Sequence, residues 1–244
     1  MKVFKFGGTS INSIERIQNL KVILDGFAGE QLMIIISAMG KTTNALEKVV
    51  ESFYAGKKDE ALKLWDVIKN QHITTAKYVL VTHFNPCLEQ LNNFFTEAEW
   101  LLNDKPQREF DYYYDQIVCV GELLSTSIIS HFLNEIGINN KWIDVRDIIR
   151  TDDNFRDANV DWDYTAQKVN QLKEEWNENN IDQQTTNDKL QTTNIILTQG
   201  FIGATDENES TTLGREGSDF TAAIFANLLN AESLTIWKDV EGVM

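Results

Sequence analysis

Disulfide-forming cysteines are almost absent from this sequence. Only Cys87 and Cys119 occur among 244 residues, and two cysteines so far apart do not make a disulfide framework. Neither lies near a histidine at a metal-ligand spacing. We therefore expect two reduced thiols, with Cys119 in a core helix.

Positive charge is also scarce. The chain has 22 lysines and arginines against 37 aspartates and glutamates, a formal net charge of -15. A field of this sign repels nucleic acid and anionic membranes, so we expect neither as a partner. A polyanionic ligand such as a nucleotide would have to be held by a few local cations.

Long apolar runs are missing as well. No run approaches the roughly 20 residues that cross a bilayer, and the longest strand-like block is LMIII at 32–36. Met1 leads directly into the first apolar block. These features predict a cytoplasmic protein.

Apolar strand patterns alternate with helical patterns along the chain. With 42% hydrophobic residues, the chain is long enough to bury a substantial core. Alternation of this kind predicts an α/β fold with a mainly parallel sheet covered by helices on both faces. The predicted strands lie at 2–6, 32–37, 141–145, 194–199 and 233–237.

Three segments depart from this alternation. Residues 57–136 hold no convincing strand and are predicted to form successive helices, a helical excursion from the sheet. Residues 177–193 are polar and predict a mobile surface connection. The last strand pattern enters a turn at Glu241 and Gly242 and then stops, so we expect the chain to be a fragment of a longer protein.

The segment KFGGTS, residues 5–10, joins the first predicted strand to a predicted helix over 10–24. In one interpretation its two glycines form a tight bend and a serine, Ser10 or Ser13, caps the helix. In the other, backbone N–H groups at the helix N-terminus bind an anion that Lys5 helps to neutralise. The lysine precedes the glycines, which differs from a P-loop.

Two further strand-to-helix turns carry small and hydroxyl residues, SAMGKTTNAL at 37–46 and TTLGREGSDF at 211–220. A simple helix cap explains each of them, with a threonine in the first turn and Ser218 or Asp219 in the second. Alternatively, the turns bind a ligand at the carboxyl ends of parallel strands, where Arg215 could form a bidentate pair with a carboxylate.

One acidic residue, Glu122, follows Gly121 inside an otherwise apolar stretch. Burying a carboxylate there is costly without a cationic partner. A structural pair with a lysine or arginine is one interpretation. In the other, Glu122 and Arg215 together bind an amino acid, with the carboxylate on its ammonium group and the guanidinium on its α-carboxylate.

Histidine-based catalytic arrangements are missing. None of His72, His83 and His131 lies in these loops, and the sequence has no Ser/His/Asp or Cys/His arrangement and no metal-ligand cluster. We predict no metal site. A reaction without a histidine base suits a nucleophile that is already ionised, such as a carboxylate with a pKa of about 4 that attacks a phosphoryl group.

The motifs KFGGTS, SAMGKTTNAL, VGELLS, GREGSDFTAA and IWKDVEGV resemble, in order, those of the amino-acid kinase superfamily and specifically of aspartate kinases. The resemblance spans the whole chain. It implies a three-layer α/β/α sandwich with a mainly parallel central sheet, in which residues 1–244 form an incomplete catalytic domain truncated at its C-terminus. The regulatory ACT domains of the family are absent from this chain.

The family's reaction implies phosphoryl transfer from ATP with Mg²⁺ to the β-carboxylate of L-aspartate, the first step towards lysine, threonine and methionine. The resemblance makes Lys5 the residue that holds the phosphates and Asp219 the residue that orients it. The positions expected to bind L-aspartate are Ser37, Thr43, Glu122, Arg215 and Ser218. The positions expected at the nucleotide are Gly7, Gly8, Thr9, Ser10, Lys238 and Asp239.

The sequence also departs from the family pattern. Glu216 stands where glycine or asparagine is frequent, which adds negative charge beside Arg215, and Lys238 stands where threonine is frequent. Two other functions stay open: a non-catalytic amino-acid-binding module, and a kinase of another acidic amino acid such as glutamate. The family further implies a homo-oligomer for the full-length protein.

Overall fold

The computed structural model describes the backbone of residues 1–185 and 194–238. Five strands of this part form a parallel central sheet in the order β3-β4-β2-β1-β7, and β5 and β6 form an antiparallel hairpin. This arrangement confirms the predicted α/β fold. The strands are β1 (Lys2–Phe6), β2 (Leu32–Ile36), β3 (Lys141–Trp142), β4 (Ile195–Gln199), β5 (Ile202–Ala204), β6 (Ser210–Thr212) and β7 (Ser233–Trp237).

Helices cover both faces of the sheet. They are α1 (Ile14–Asp25), α2 (Thr42–Tyr54), α3 (Lys58–Val79), α4 (Phe84–Asn103), α5 (Phe110–Val118), α6 (Val120–Glu135), α7 (Trp162–Thr185) and α8 (Gly217–Leu228). The connections from β1 to β2 and from β2 to β3 both run towards the β3 edge of the sheet. The connections through α7, from β3 to β4, and through α8, which leads to β7, run towards the opposite edge. Because such crossovers are right-handed, α1 to α6 and α7 to α8 lie on opposite faces.

The two helices that lie directly on the sheet show this layering. Helix α6 packs against β2, β3 and β4, whereas α8 packs against β1, β2 and β7. Every residue of β2 is apolar and buried, as expected for a central strand that helices cover on both faces. The result is a three-layer α/β/α sandwich.

The segment predicted as a helical excursion, 57–136, is occupied by α3 to α6. By length and composition Phe110–Glu135 could cross a membrane, but 89% of its most apolar stretch is buried inside the protein. It is therefore a core element of this fold. Cys119 lies at the junction of α5 and α6, where burial raises the pKa of its thiol to about 12.

Three sequence predictions need correction. The strand expected at 141–145 ends at Trp142, and a 3-10 helix begins at Val145 because the backbone N–H of Val145 donates to the side chain of Gln199, 2.8 Å away. The hairpin of β5 and β6 was not predicted, since strands of three residues carry too little periodicity to detect.

The third correction concerns the polar segment 177–193, predicted as a surface connection. Helix α7 continues through it to Thr185. The buried side chains of Val169, Leu172 and Trp176 anchor this helix to the core, and polar residues extend it. Residues 186–193 lie outside the described residues.

We predict that Gly8→Ala destabilises the protein. A Cβ at Gly8 would lie 2.4 Å from the carbonyl oxygen of Ala38, and such overpacking costs about 1–3 kcal/mol. Thermal unfolding should show a lowered midpoint. Gly26→Ala is the matched control, because Gly26 has an ordinary helical φ of -69° and its nearest contact for a Cβ lies at 3.3 Å. Equal midpoints for the two variants would contradict this packing.

Candidate active site

The carboxyl ends of the central strands meet along one edge of the sheet. Phe6 pairs in register with Ile36 on one side and with Trp237 on the other, and Ile36 pairs with Gln199. The carboxyl ends of β1, β2, β4 and β7 are therefore level with one another. Parallel α/β sheets bind ligands at such an edge.

A cleft of about 530 Å³ opens at this edge. The start of α8 and the first turn of α6 complete its walls. Ten of the thirteen residues predicted from the sequence line it, and they come from five separate segments of the chain. These residues are Lys5, Gly8, Thr9, Ser37, Thr43, Glu122, Arg215, Ser218, Asp219 and Lys238.

The other three predicted residues are placed differently. A Cβ at Gly7 would lie 3.7 Å from the Lys5 Nζ atom, so Gly7 adjoins the cleft without lining it. Ser10 turns away, because its hydroxyl donates to the carbonyl oxygen of Trp237 at 3.1 Å. Its side chain links the first turn to the end of β7. Asp239 lies outside the described residues.

A chain of charges crosses the floor of the cleft. Lys5 is almost fully buried, and its Nζ lies 2.7 Å from Oδ1 of Asp219. The other carboxylate oxygen lies 3.2 Å from Nζ of Lys238, which is half-exposed. Partial burial alone would raise the pKa of Asp219, but its hydrogen bonds and charge interactions with the two lysines lower that pKa below its usual value. Asp219 therefore stays ionised and holds both cations at the cleft.

The first turn contains the serine cap that the sequence suggested, while anion binding by this turn stays a prediction. Ser13 caps α1 by accepting a hydrogen bond from the backbone N–H of Arg16 at 3.3 Å. The glycine turn packs directly on the turn after β2, where the N–H of Gly40 donates to the carbonyl of Gly8 at 2.9 Å. Gly8 is thus needed for close approach of two backbones, and it also lines the cleft.

The turn before α8 is not a simple serine or aspartate cap. Ser218 and Asp219 lie in the first turn of the helix, and the N-cap position is Glu216, in a left-handed conformation with φ 59° and without a side-chain cap. A Cβ at Gly217 would lie 2.7 Å from the ring of Phe201, so only glycine fits there. This tight loop presents Arg215 and Glu216, both exposed, to the cleft.

Glu122 is buried at the inner end of the cleft and forms no ion pair within the described part of the chain. Its Oε1 accepts a hydrogen bond from the backbone N–H of Ala38 at 3.3 Å, and its Oε2 is buried without a partner there. Burial raises the pKa of Glu122 to about 8, and the hydrogen bond from Ala38 opposes that rise. The structural ion pair considered from the sequence is therefore absent, and one carboxylate oxygen is available to a ligand.

Sequence reasoning missed four residues that line the cleft, namely Tyr114, Arg156, Phe201 and Thr212. Tyr114 directly follows two other tyrosines in α5, a pattern that predicts a core position. Arg156 lies in a polar loop without any motif. The backbone of Arg156 has a left-handed φ of 71°. Thr212 belongs to the quoted segment 211–220 and Phe201 follows β4, but nothing in the sequence places Tyr114 or Arg156 beside the glycine turns, because these two reach the cleft only through tertiary packing.

The cleft concentrates positive charge in an acidic protein. Four cationic residues line it beside three acidic ones, a small positive excess in a chain whose formal charge is -15; the cations are Lys5, Arg156, Arg215 and Lys238, and the acids are Glu122, Glu216 and Asp219. Together the sheet and this cleft define an α/β protein with a candidate ligand site at the carboxyl ends of parallel strands.

The chain belongs to the amino acid kinase family, whose model matches residues 1–244. Lysine-sensitive aspartokinase 3 of Escherichia coli is 31% identical over 242 residues, which are 99% of this chain and 49% of that protein. Aspartokinase 2, chloroplastic, of Arabidopsis thaliana is 32% identical, and the match covers 99% of this chain and 42% of that protein. The chain spans about half the length, or less, of the curated relatives it matches.

Solved structures of Escherichia coli aspartokinase III share the fold. The complex with lysine and aspartate and the complex with aspartate and ADP each match with a TM-score of 0.80 at 30% identity. Both matches cover 100% of this chain and 50% of the bacterial enzyme. This similarity confirms the architecture and the family resemblance identified from the motifs.

We predict that the unpartnered carboxylate of Glu122 makes stability depend on pH. Its folded pKa of about 8 exceeds the usual value of 4.5, so the folded state binds the proton more tightly than the unfolded chain. Stability contributed by the protonated form is complete below pH 4.5 and is lost as pH rises to about 8.

Glu122→Gln removes this loss, so the variant should exceed the wild type in thermal midpoint by an amount that grows between those two pH values. Glu207→Gln, at an exposed carboxylate, is the control and should show a difference that does not change with pH. A constant difference for Glu122→Gln as well would show that Glu122 is not buried in this state.

Proposed function

We propose that this protein is an aspartate kinase that transfers the γ-phosphoryl group of ATP to the β-carboxylate of L-aspartate, giving 4-phospho-L-aspartate. One observation carries the proposal: the cleft that contains the Lys5–Asp219–Lys238 charge chain also contains Arg215 and the unpartnered oxygen of Glu122. The relative solved with aspartate and ADP supports the same pair of ligands. In this role the protein would begin lysine, threonine and methionine biosynthesis.

The acceptor is held through its α-carboxylate and its α-ammonium group. The guanidinium of Arg215 has two parallel N–H donors that match the α-carboxylate. The free Oε2 of Glu122 accepts from the α-ammonium group, while Oε1 stays bonded to the N–H of Ala38. The hydroxyls of Ser37, Thr43 and Ser218 line the same cleft and can bind the remaining oxygens.

The phosphates are held at the cationic end. Lys5 and Lys238 are fixed through Asp219, and the turn at Gly8 and Thr9 lines the cleft beside them. The N-terminus of α8 adds its partial positive charge next to these lysines. Lys5 can therefore neutralise charge on the transferring phosphoryl group, and Asp219 fixes the position of Lys5.

The reaction needs alignment and neutralisation of charge more than proton transfer. An oxygen of the aspartate β-carboxylate attacks the γ-phosphorus, the bond between that phosphorus and the bridging oxygen of ADP breaks, and ADP leaves with the electron pair. The β-carboxylate is already ionised at neutral pH, so no general base is required. This accords with the absence of histidines from the lining of the cleft.

Mg²⁺ belongs to the proposal as the partner of ATP. Within the described ranges no group of three or more histidine, cysteine, aspartate or glutamate residues could hold a metal ion. Both oxygens of Asp219, moreover, already face lysines. We therefore propose that Mg²⁺ arrives on the ATP phosphates, and no step above depends on a protein-held metal. A cytoplasmic location and a homo-oligomeric full-length protein stay predictions from the sequence.

We predict saturable binding of L-aspartate by this 244-residue chain in a calorimetric titration, lost in Arg215→Ala because the α-carboxylate then has no bidentate partner. Titration with L-glutamate is the comparison for the acceptor. Tighter binding of glutamate would favour the alternative acceptor. Unchanged binding of aspartate by the Arg215 variant would contradict the proposed site.

We also predict that Lys5→Ala abolishes phosphorylation in the full-length gene product, with kcat reduced at least about 100-fold because a group that stabilises the transferring phosphoryl is lost. Coupled detection of ADP measures the rate. Lys21→Ala is the control, since Lys21 is exposed and pairs only with Asp25 on the same helix. Aspartate binding without phosphorylation by the wild type would instead support the non-catalytic binding module.

A further inference from the structure

A second buried carboxylate lies close to the cleft without lining it. Asp115, in α5, has a fully buried side chain and takes no part in the site described above. Its Oδ1 accepts from the hydroxyl of Thr212 at 2.7 Å. Its Oδ2 accepts from the backbone N–H groups of Thr212 at 2.8 Å and of Arg156 at 2.9 Å.

Both partners of Asp115 are cleft residues, and neither lies in the central sheet. Thr212 ends the hairpin strand β6, whereas Arg156 lies in the loop between β3 and α7. The carboxylate thus connects α5 with two peripheral segments that together form one wall of the cleft. The same two segments are joined by the N–H of Ala158, which donates to the carbonyl of Thr212 at 3.0 Å.

The conformation of Arg156 depends on such an anchor. Its φ of 71° lies in the left-handed region, which is unfavourable for a residue with a side chain. Its guanidinium is also attached to α5, with Nη1 3.1 Å from Asp111 and Cζ 4.4 Å from the ring centre of Tyr114. Three residues of one helix therefore hold the backbone and the side chain of Arg156.

This wall contacts the loop that presents Arg215. A Cβ at Gly214 would lie 2.5 Å from a carboxylate oxygen of Asp157 and 3.5 Å from the carbonyl oxygen of Arg156. The loop of Arg156 and Asp157 is therefore packed against the residue directly before Arg215. The carboxylate of Asp157 and the carbonyl of Arg156 thus fill the space beside Gly214, so a shift of their loop changes the room available to the residue before Arg215.

Burial makes the ionised form of Asp115 expensive. It raises the pKa of Asp115 to about 6, although the hydrogen bonds from Arg156 and Thr212 oppose that rise. Its hydrogen-bond donors all belong to the wall of the cleft. The carboxylate of Asp115 is thus held in place by hydrogen bonds from Arg156 and Thr212, which line the cleft.

We propose that Asp115 is a positioning residue for the acceptor end of the cleft: it holds Arg156 and Thr212 in place and, through their packing, sets the geometry of the Arg215 loop. This inference rests on the proposed function, since the acceptor is L-aspartate. Asp115 acts on the acceptor through other residues, because its own side chain is fully buried.

The test is steady-state kinetics of the full-length gene product with Asp115→Ala. We expect the KM for L-aspartate to rise about tenfold or more, while kcat and the KM for ATP change less than about threefold, because only acceptor binding loses its geometry. Asp66→Ala, at an exposed aspartate of α3, is the control and should leave all three constants unchanged.

Asp115→Asn tests whether geometry or charge is responsible. An amide oxygen can accept both N–H bonds, and the amide nitrogen can donate to the hydroxyl of Thr212, so this variant should restore the KM for L-aspartate to near the wild-type value. If Asp115→Ala fails to fold, Thr212→Val removes one hydrogen bond with little change of shape and should raise the same KM about threefold.

A lowered thermal midpoint with an unchanged KM for L-aspartate in both Asp115→Ala and Thr212→Val would overturn the inference, because the carboxylate would then serve folding alone. Wild-type protein that neither binds nor phosphorylates L-aspartate would overturn the proposed function, and this inference with it. Normal turnover by the wild type, together with a wild-type KM for L-aspartate in Asp115→Ala and Thr212→Val, would overturn this inference and leave the proposed function standing.

Discussion

The ion pair between Lys5 and Asp219 is the interaction on which the rest of the site depends. A lysine at the end of a buried strand is tolerated only beside an opposite charge, and Asp219 provides that charge from the first turn of α8, 2.7 Å away. The pair thereby joins the first strand of the sheet to a helix near the C-terminal end of the described chain. Because the carboxylate also faces Lys238, one short contact assembles the cationic half of the cleft.

Buried or partly buried carboxylates recur around this cleft with different partners. Asp219 faces two lysines, Asp115 accepts hydrogen bonds from two peripheral segments, and Glu122 leaves one oxygen unpartnered in the described structure. Polar groups around these carboxylates would lack hydrogen-bond partners if the carboxylates were removed. Each carboxylate therefore fixes the position of the groups that it contacts. Glu122 differs in that its Oε2 has no partner among the described residues, so a ligand can supply the missing hydrogen bond. The unpaired oxygen lowers the stability of the free protein and is relieved when a ligand binds.

Local pattern accounted for much of the fold, and the family resemblance of the motifs supplied most of the candidate site. Strand and helix periods located β1, β2, β4 and β7 to within a residue, because short apolar blocks separated by helical patterns stand out in the sequence. The turn residues were found because glycines and hydroxyls cluster where strands end. The short strands β5 and β6 escaped detection, and the hydrogen bond of the Ser10 hydroxyl to Trp237 had no signal in the sequence. Residues such as Arg156 carry no local signal at all.

The sequence by itself determined the α/β class, the strands of the central sheet apart from the length of β3, the glycine turns and the candidate residues for binding phosphate and an amino acid. These properties depend on neighbours in sequence, which a linear pattern records. Only the tertiary structure decided that Lys238 shares Asp219 with Lys5, that Glu122 bonds to Ala38, and that Asp115 anchors the far wall. These contacts join distant segments, and Lys5 and Asp219 are more than 200 residues apart in the sequence. Their geometry follows from strand register and helix packing, which no local pattern encodes.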